Sequence, residues 1–415
     1  MEHDQAEDER GDDPPCVGCG DKTGAMPHEI DDAALPPLPA DAVLRVPADV
    51  QLAVVGAELV AHRPATGMTN VCNTSAAMVL TSFDGVLTLA DVVDALQVEV
   101  GPSVDVAADV ARIAARLTAV GALEFVNPPG GVFSVETTPE PVVELEQPPA
   151  VVGTWRVGTN VAAVAAPDEV ASELHARLAH LEPVVADEVS GVVVRVFEAG
   201  EAGEWHLRAG GEPVLRTLGI GGAIEETLRA LNRVAAVDAD GHILLHAASA
   251  SRHGRCVAVA GTSGQGKTTL VGALVRAGFD FVSDEVVVID PTTRAVTPYL
   301  RPLDLDDDAR HRLGLVDEVD DVVPGLVDPT RLGSLAGEPP VLGLLVLLGA
   351  ETSLATDVDP LVADLLDLLP QVFPASFGRP DALDRLLDLV GDVRVLRLDR
   401  GPLRGAVAAV EHLLG

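Results

Sequence analysis

The chain has 415 residues, 47% of them hydrophobic, and its 64 acidic and 28 basic side chains give a formal charge of −36. This length predicts two or three domains, and the charge argues against binding to nucleic acid or to an anionic membrane, because affinity for phosphate groups comes from clustered Lys and Arg. Four cysteines are too few for a disulfide scaffold, no apolar run reaches the ~20 residues of a membrane span, and the acidic N-terminus differs from a signal peptide, so we expect a soluble, cytoplasmic protein.

Residues 1–40 are acidic and rich in proline, a composition that predicts a disordered tail. The tail contains a CxxC motif formed by Cys16 and Cys19. Zinc requires four ligands, and no second Cys or His pair follows at the usual spacing, so an ordinary tail segment is favoured over a metal site.

A compact α+β module is predicted at residues 41–127. Its β-type runs lie at 43–46, 52–55, 58–63 and 122–126. Its helical segments lie at 74–83, from Thr88 onward, and at 105–120. Thr88 followed by Asp91 has the spacing of a helix N-cap and its partner. A small sheet with three short helices is typical of a winged-helix-like fold.

Residues 128–150 are rich in proline and glutamate and predict a linker to a second globular unit at 151–415. The first part of that unit alternates strand-like runs with one or two helices at 170–181 and 223–237. From Ile243 onward strands alternate with helices, which predicts an α/β fold whose parallel sheet is covered on both faces.

A phosphate-binding motif lies between a buried-strand run and a helix. It fits the pattern GxxxxGK[ST] and consists of Gly261, Thr262, Ser263, Gly264, Gln265, Gly266, Lys267 and Thr268, with Thr269 next in the chain. Backbone N–H groups of such a loop surround phosphate oxygens, and the helix N-terminus adds partial positive charge. Lys267 is then expected to reach the β- and γ-phosphates, and Thr268 to ligate Mg²⁺. A glycine-rich turn that binds nothing is disfavoured, because Lys267 is one of only two lysines in the chain.

Further candidate residues flank this motif. Asp284 and Glu285 follow an apolar run, where carboxylates could hold Mg²⁺ and accept a proton or simply cap a loop. His246 lies fifteen residues before Gly261 and is either a packed residue or a functional one. Arg301 is a candidate for phosphate contact, with an ordinary surface arginine as the alternative.

The segments LLHA (244–247), GTSGQGKTT (261–269) and FVSDE (281–285) together resemble the HPr serine kinase-like family, whose P-loop kinase fold is related to phosphoenolpyruvate carboxykinase. The resemblance implies ATP and Mg²⁺ as ligands of the P-loop, although the motifs do not distinguish ATP from GTP. It also implies that Asp284 takes the proton of the acceptor hydroxyl, that Glu285 supports the metal or the geometry, and that His246 lies beside the acceptor. The sequence has Lys-Thr-Thr where the family has Lys-Ser-Glu, which argues against HPr as the substrate.

A second resemblance concerns the N-terminal module. Residues 68–85, the following TLADV (88–92) and the helix that ends in VGAL (120–123) are similar to the PqqD-like domain, which recognises the leader of ribosomally made precursor peptides. The mode of that family is strand addition. The resemblance implies a peptide-binding edge at residues 58–63, with the helix 105–120 beside the groove. A structural or dimerising module and a DNA-binding winged helix are the alternatives, and Asp109 beside Arg112 makes a poor DNA-reading face.

The sequence therefore predicts an ATP-dependent kinase that phosphorylates a Ser or Thr hydroxyl of a precursor peptide captured by the N-terminal module. Other peptide-maturation enzymes are expected partners, and homo-oligomerisation is left open. Two other hypotheses remain. One is a nucleotide-gated chaperone or ATPase that presents the peptide to another modifying enzyme, and the other is a small-molecule hydroxyl kinase.

Overall fold

The computed structural model describes residues 35–101, 106–126, 151–184, 192–198, 204–210, 215–237, 241–315, 322–349, 359–399 and 401–415. The CxxC cysteines, nearly all of the predicted acidic tail and the predicted linker 128–150 lie outside these residues. Among the helices of the described part, none combines the length and the apolar character needed to cross a lipid bilayer.

The N-terminal module contains three helices and short antiparallel strands within residues 35–101 and 106–126. Its elements are β1 (Val43–Arg45), β2 (Gln51–Val55), β3 (Glu58–Arg63), β4 (Met68–Cys72), α1 (Thr74–Ser82), β5 (Asp84–Thr88), α2 (Leu89–Val100), α3 (Ala107–Ala119) and β6 (Glu124–Phe125). The strands form two sheets, in the orders β2-β3-β4 and β5-β1-β6. Leu44, Leu80 and Leu117 form part of the core between them. The predicted helices are confirmed, whereas β4 and β5 were not expected.

Strand β3 lies in the middle of its sheet. It pairs antiparallel with β2 on one side and with β4 on the other. The prediction that residues 58–63 form a free edge for an added peptide is therefore wrong. The chain reverses at Thr66 and Gly67, whose φ is +70°, and the next five residues return along β3 and cover its second edge.

The second unit begins with a five-stranded sheet. Its elements are β7 (Val151–Val157), β8 (Asn160–Ala165), α4 (Asp168–Arg177), β9 (Val192–Glu198), β10 (Glu204–Ala209), β11 (Leu215–Leu218) and α5 (Gly219–Val237). The strand order is β11-β10-β9-β8-β7, and β8 and β9 are its parallel pair. Helix α5 packs on this sheet through Ile224, Leu228 and Leu231, in one apolar cluster with Trp155 and Trp205.

The remaining elements surround a second five-stranded sheet. They are β12 (Ile243–Leu245), β13 (Ala247–Arg252), β14 (Arg255–Ala260), α6 (Lys267–Arg276), β15 (Asp280–Ser283), β16 (Val287–Ile289), β17 (Val296–Thr297), β18 (Leu303–Asp304), α7 (Asp307–Leu313), β19 (Leu326–Val327), β20 (Val341–Leu348), α8 (Pro360–Leu368), α9 (Ala382–Asp392), β21 (Arg394–Leu398) and α10 (Leu403–Leu414). The central sheet has the order β15-β13-β14-β20-β21, with an apolar cluster on each face.

The central sheet is mixed rather than parallel throughout. β14, β20 and β21 are parallel, but β13 is antiparallel to both β14 and β15. The cause is a tight hairpin in which Arg252 pairs with Arg255 across His253 and Gly254, both at positive φ. Such two-residue turns match the twist of antiparallel strands. The expected α/β class is confirmed, the fully parallel sheet is not, and the loop 261–266 extends from the carboxyl end of β14.

Candidate active site

The glycines of the loop 261–266 are required by its backbone conformation. Gly264 and Gly266 have φ values of +76° and +93°, which side chains with a Cβ atom rarely adopt. A Cβ atom at either position would meet nothing within 4 Å. The loop is therefore strained for other residues but open above these two glycines, where a ligand can approach the backbone.

Lys267 begins helix α6 with its ammonium group turned inward, and the residue is 7% exposed. Its Nζ atom donates to the carbonyl of Gly261 at 2.9 Å and lies 3.2 Å from Nε2 of His246. An ammonium group can only donate, so Nε2 accepts and the proton of the neutral imidazole resides on Nδ1. That Nδ1 atom lies 3.3 Å from the backbone carbonyl of Glu285, which can accept a hydrogen bond from it.

Thr268 and Asp284 form the second contact across the site. The Thr268 hydroxyl donates to Oδ1 of Asp284 at 3.1 Å, while Oδ2 is buried without a hydrogen-bond partner among the described residues. Burial, and secondly the charge of Glu285, raise the pKa of Asp284 to about 7, against the opposing effects of Arg301, Thr268 and Lys267. A carboxyl group with a pKa near neutrality is suited to accept a proton.

Glu285 has an unusual backbone. Its φ is +73°, a conformation that costs a residue other than glycine about 1–3 kcal/mol and is concentrated at functional sites. This turn directs its carboxylate towards His246, with Oε2 at 3.5 Å from Nδ1. Glu285 therefore lies beside Nδ1 of the His246 ring, whereas Lys267 contacts the other ring nitrogen, Nε2.

Arg301 is not a surface arginine, because only 4% of the residue is exposed. Its positive charge lowers the pKa of Asp284, and its Nε atom is buried without a hydrogen-bond partner among the described residues. Arg301 also lines the cavity of the site. A buried guanidinium at this place fits an anion, as expected for a phosphate group.

Ten of the predicted residues line one cavity of about 1280 Å³, whereas Asp284 is buried against the Thr268 hydroxyl and does not line it. This exceeds the ~300–1,000 Å³ of a typical small-molecule pocket, so the cavity has space for more than one small molecule. The predicted residues that line it are His246, Ser263, Gly264, Gln265, Gly266, Lys267, Thr268, Thr269, Glu285 and Arg301. Gly261 and Thr262 lie below, where their carbonyls accept from Lys267.

Sequence reasoning missed the other walls of the cavity. One wall comes from α5, with Arg229 and Asn232, and another from the β21–α10 connection. A third comes from the start of α7, with Asp306 and Asp308. Two signals were present, the helical pattern of α5 and the acidic run 304–308, but neither shows which residues line a cavity.

A magnesium ion fits the oxygen atoms present. Within the described residues no group of three or more His, Cys, Asp or Glu side chains could hold a metal ion on its own. Magnesium at phosphate sites, however, takes one or two protein ligands and completes its shell with phosphates and water. The Thr268 hydroxyl and the unpartnered Oδ2 of Asp284 could supply such ligands, with Glu285 beside them.

No model of a known protein family matches the chain, and no curated protein matches it at a significant level of sequence similarity. The functional case therefore depends on the motifs and on the geometry of the site.

Proposed function

We propose that the chain is an ATP-dependent kinase that phosphorylates a Ser or Thr hydroxyl of a precursor peptide, with a P-loop domain of the HPr kinase-like type. One observation carries this proposal. Lys267 and Thr268 begin the same helix beside a glycine-rich loop, and Asp284, with its raised pKa, lies 3.1 Å from the Thr268 hydroxyl. Phosphoryl transfer needs these groups together: a cation, a metal ligand and a proton acceptor.

The residues divide the chemistry between them. The backbone of the loop and Lys267 bind the β- and γ-phosphates, and Arg301 adds positive charge. Magnesium, when bound by Thr268 and Asp284 or Glu285, neutralises charge on the phosphates. As the acceptor oxygen bonds to the γ-phosphorus, the bond to the bridging oxygen of ADP breaks and the hydroxyl proton moves to Asp284.

Peptide capture is proposed at the outer edge of β4 rather than at β3. β4 pairs with β3 on one side, and no strand of the described residues pairs with it on the other. Met68 at its start is 38% exposed and lies beside Gly121, just after α3. An edge strand with partly exposed apolar side chains beside a helix suits the addition of an extended peptide.

The test is to incubate the protein with MgATP and synthetic precursor peptides that carry a leader and a core with Ser and Thr, and to measure the peptide mass. We expect the peptide to gain the mass of one phosphate group. Lys267→Ala and Asp284→Asn should both abolish the gain, whereas Lys22→Ala, which removes the other lysine of the chain, should leave it unchanged.

Other outcomes separate the alternatives. If MgATP binds but no phosphate is transferred, and Asp284→Asn still supports peptide binding, the protein is a nucleotide-gated chaperone. If free small molecules but no peptide are phosphorylated, it is a small-molecule kinase. Calorimetry that detects no binding of MgATP would contradict the nucleotide site itself.

A further inference from the structure

The segment 371–379, here called the bridging segment, joins the active site to the N-terminal module. It follows α8 and precedes α9 in the chain. One end contacts the residues around His246, and the other end contacts β2 and β3 of the N-terminal module. Neither the phosphate-binding motif nor the peptide edge includes it.

At the active site the bridging segment holds the backbone and the ring of His246. The backbone N–H of His246 donates to the carbonyl of Gln371 at 2.7 Å, and that of Phe373 donates to the carbonyl of Leu244 at 2.9 Å. The Phe373 ring meets the His246 ring edge to face, with centroids 6.1 Å apart. Phe373 also lines the cavity. The position of His246, and hence its contact with Lys267, depends on this segment.

The middle of the segment is fixed to the strand that precedes His246. The buried Ser376 hydroxyl accepts from the N–H of Leu244 at 2.8 Å. A shift of the segment would therefore break several hydrogen bonds to β12 at once. This makes the segment a rigid connection rather than a loose loop between the two sites.

At the other end a single side chain of the N-terminal module makes three hydrogen bonds. Gln51 on β2 donates through Nε2 to the carbonyls of Phe377 (3.0 Å) and Arg379 (2.9 Å) and accepts through Oε1 from the N–H of Leu383 (3.0 Å). The buried His62 ring lies 4.6 Å from the Phe377 ring. Apolar residues of the module, Ala53, Val55 and Val60, belong to one core cluster with residues of α8 and α9.

We propose that Gln51 is a positioning residue for the active site: through the bridging segment, it fixes the wall that holds His246 against Lys267. The N-terminal module then supports phosphoryl transfer directly, besides capturing a peptide. A test that measures phosphate transfer rests on the proposed kinase function, whereas a test of the position of His246 does not.

The experiment compares Gln51→Ala with Gln97→Ala in the full chain. Gln97 is a matched control, since its side chain bonds the backbone of Gly101 and Val106 inside the same module. A short serine peptide without a leader serves as acceptor, so that leader capture does not contribute. Losing one net hydrogen bond changes the equilibrium between the positioned and the displaced bridging segment by about fivefold. We therefore expect kcat of Gln51→Ala to fall by about that factor or more. Gln97→Ala should retain the kcat of the wild type.

A second measurement reports on the backbone around His246 and does not require phosphate transfer. Hydrogen exchange at the amides of His246 and Phe373 should be faster in Gln51→Ala and unchanged in Gln97→Ala. Gln51→Met keeps the length of the side chain but loses all three hydrogen bonds. It should give the same result and serves if the alanine variant does not fold.

The outcomes distinguish the two proposals. Unchanged exchange at His246 and Phe373 in both Gln51 variants, or an equal effect of Gln97→Ala, would overturn the positioning role. A wild-type protein that transfers no phosphate would overturn the kinase function, and the exchange measurement would still decide the role of Gln51.

Discussion

Asp284 combines an environment suited to catalysis with a cost in stability. The residue is 1% exposed, and burial raises the pKa of its carboxyl group from 3.8 to about 7. Because the folded state holds the proton more tightly than the unfolded state, the resulting stabilisation is complete below pH 3.8 and is lost as the pH rises through 7. Above pH 7, in the absence of a metal ion, the buried carboxylate of Asp284 therefore opposes folding.

Asp284→Asn should increase the free energy of unfolding at pH 8 by about 1 kcal/mol or more in metal-free buffer, since one pKa unit corresponds to about 1.4 kcal/mol. The gain should shrink at pH 5, where the aspartic acid is already neutral. Urea unfolding at both pH values measures it. Asp290→Asn is the control, because backbone N–H groups lower the pKa of Asp290 and no gain is expected there. A loss of stability in Asp284→Asn at pH 8 would contradict this account.

Helix α2 shows how far local sequence signals extend. Thr88 accepts from the N–H of Asp91 at 3.2 Å, and the Asp91 carboxylate accepts in return from the N–H of Thr88 at 2.9 Å. This reciprocal cap was predicted from two residue types at fixed spacing, and the helix begins where the cap places it. The P-loop and the Asp284 turn were predicted for the same reason, because each is a short continuous motif.

Thr88→Ala should lower the free energy of unfolding of the N-terminal module by about 1 kcal/mol, the usual cost of losing a helix N-cap. Urea unfolding of the full chain, followed by circular dichroism, measures this loss. Thr81→Ala is the matched control, because the exposed Thr81 hydroxyl bonds only carbonyls of its own helix. Equal effects of the two substitutions would show that the cap contributes little.

The pairing of the strands could not be predicted from the sequence. β3 was predicted at its observed bounds, yet whether it is an edge depends on residues 68–72 returning beside it. Thr69 and Asn70 interrupt the apolar alternation of that segment, so it gave no strand signal. The small residues of β13 likewise concealed the hairpin that makes the central sheet mixed. Which strands pair depends on contacts between residues far apart in the sequence, and a local hydrophobic pattern contains no information about them.

At the scale of the whole molecule, the contact between the N-terminal module and the P-loop unit could not be predicted. The bridging segment 371–379 contains no motif, and its role arises only because β12 lies on one side of it and β2 on the other. The Pro-rich linker predicted a boundary between two domains but no contact between them, whereas Gln51 and His62 pack directly against the second unit. Deleting the N-terminal module would therefore expose apolar side chains of α9, so point substitutions separate the functional hypotheses better than truncation.

His62 makes the stability of this contact sensitive to acid. Burial lowers its pKa from 6.5 to about 4, and its ring lies between Phe377 and the Thr69 hydroxyl. Because the folded state binds the proton more weakly, the stabilisation from neutral His62 is complete above pH 6.5 and is lost as the pH falls towards 4. Between pH 6.5 and pH 5 the wild type should lose about 1.5 kcal/mol more of its free energy of unfolding than His62→Gln.

Urea unfolding at the two pH values tests this expectation, because it compares the pH dependence of each protein rather than its absolute stability. His412→Gln, at an exposed position on α10, should retain the pH dependence of the wild type. The protection factors of amides in the bridging segment, which correct for the slower intrinsic exchange at low pH, should fall at pH 5 in the wild type and in His412→Gln but not in His62→Gln. The same pH dependence in all three proteins would exclude His62 as the group responsible.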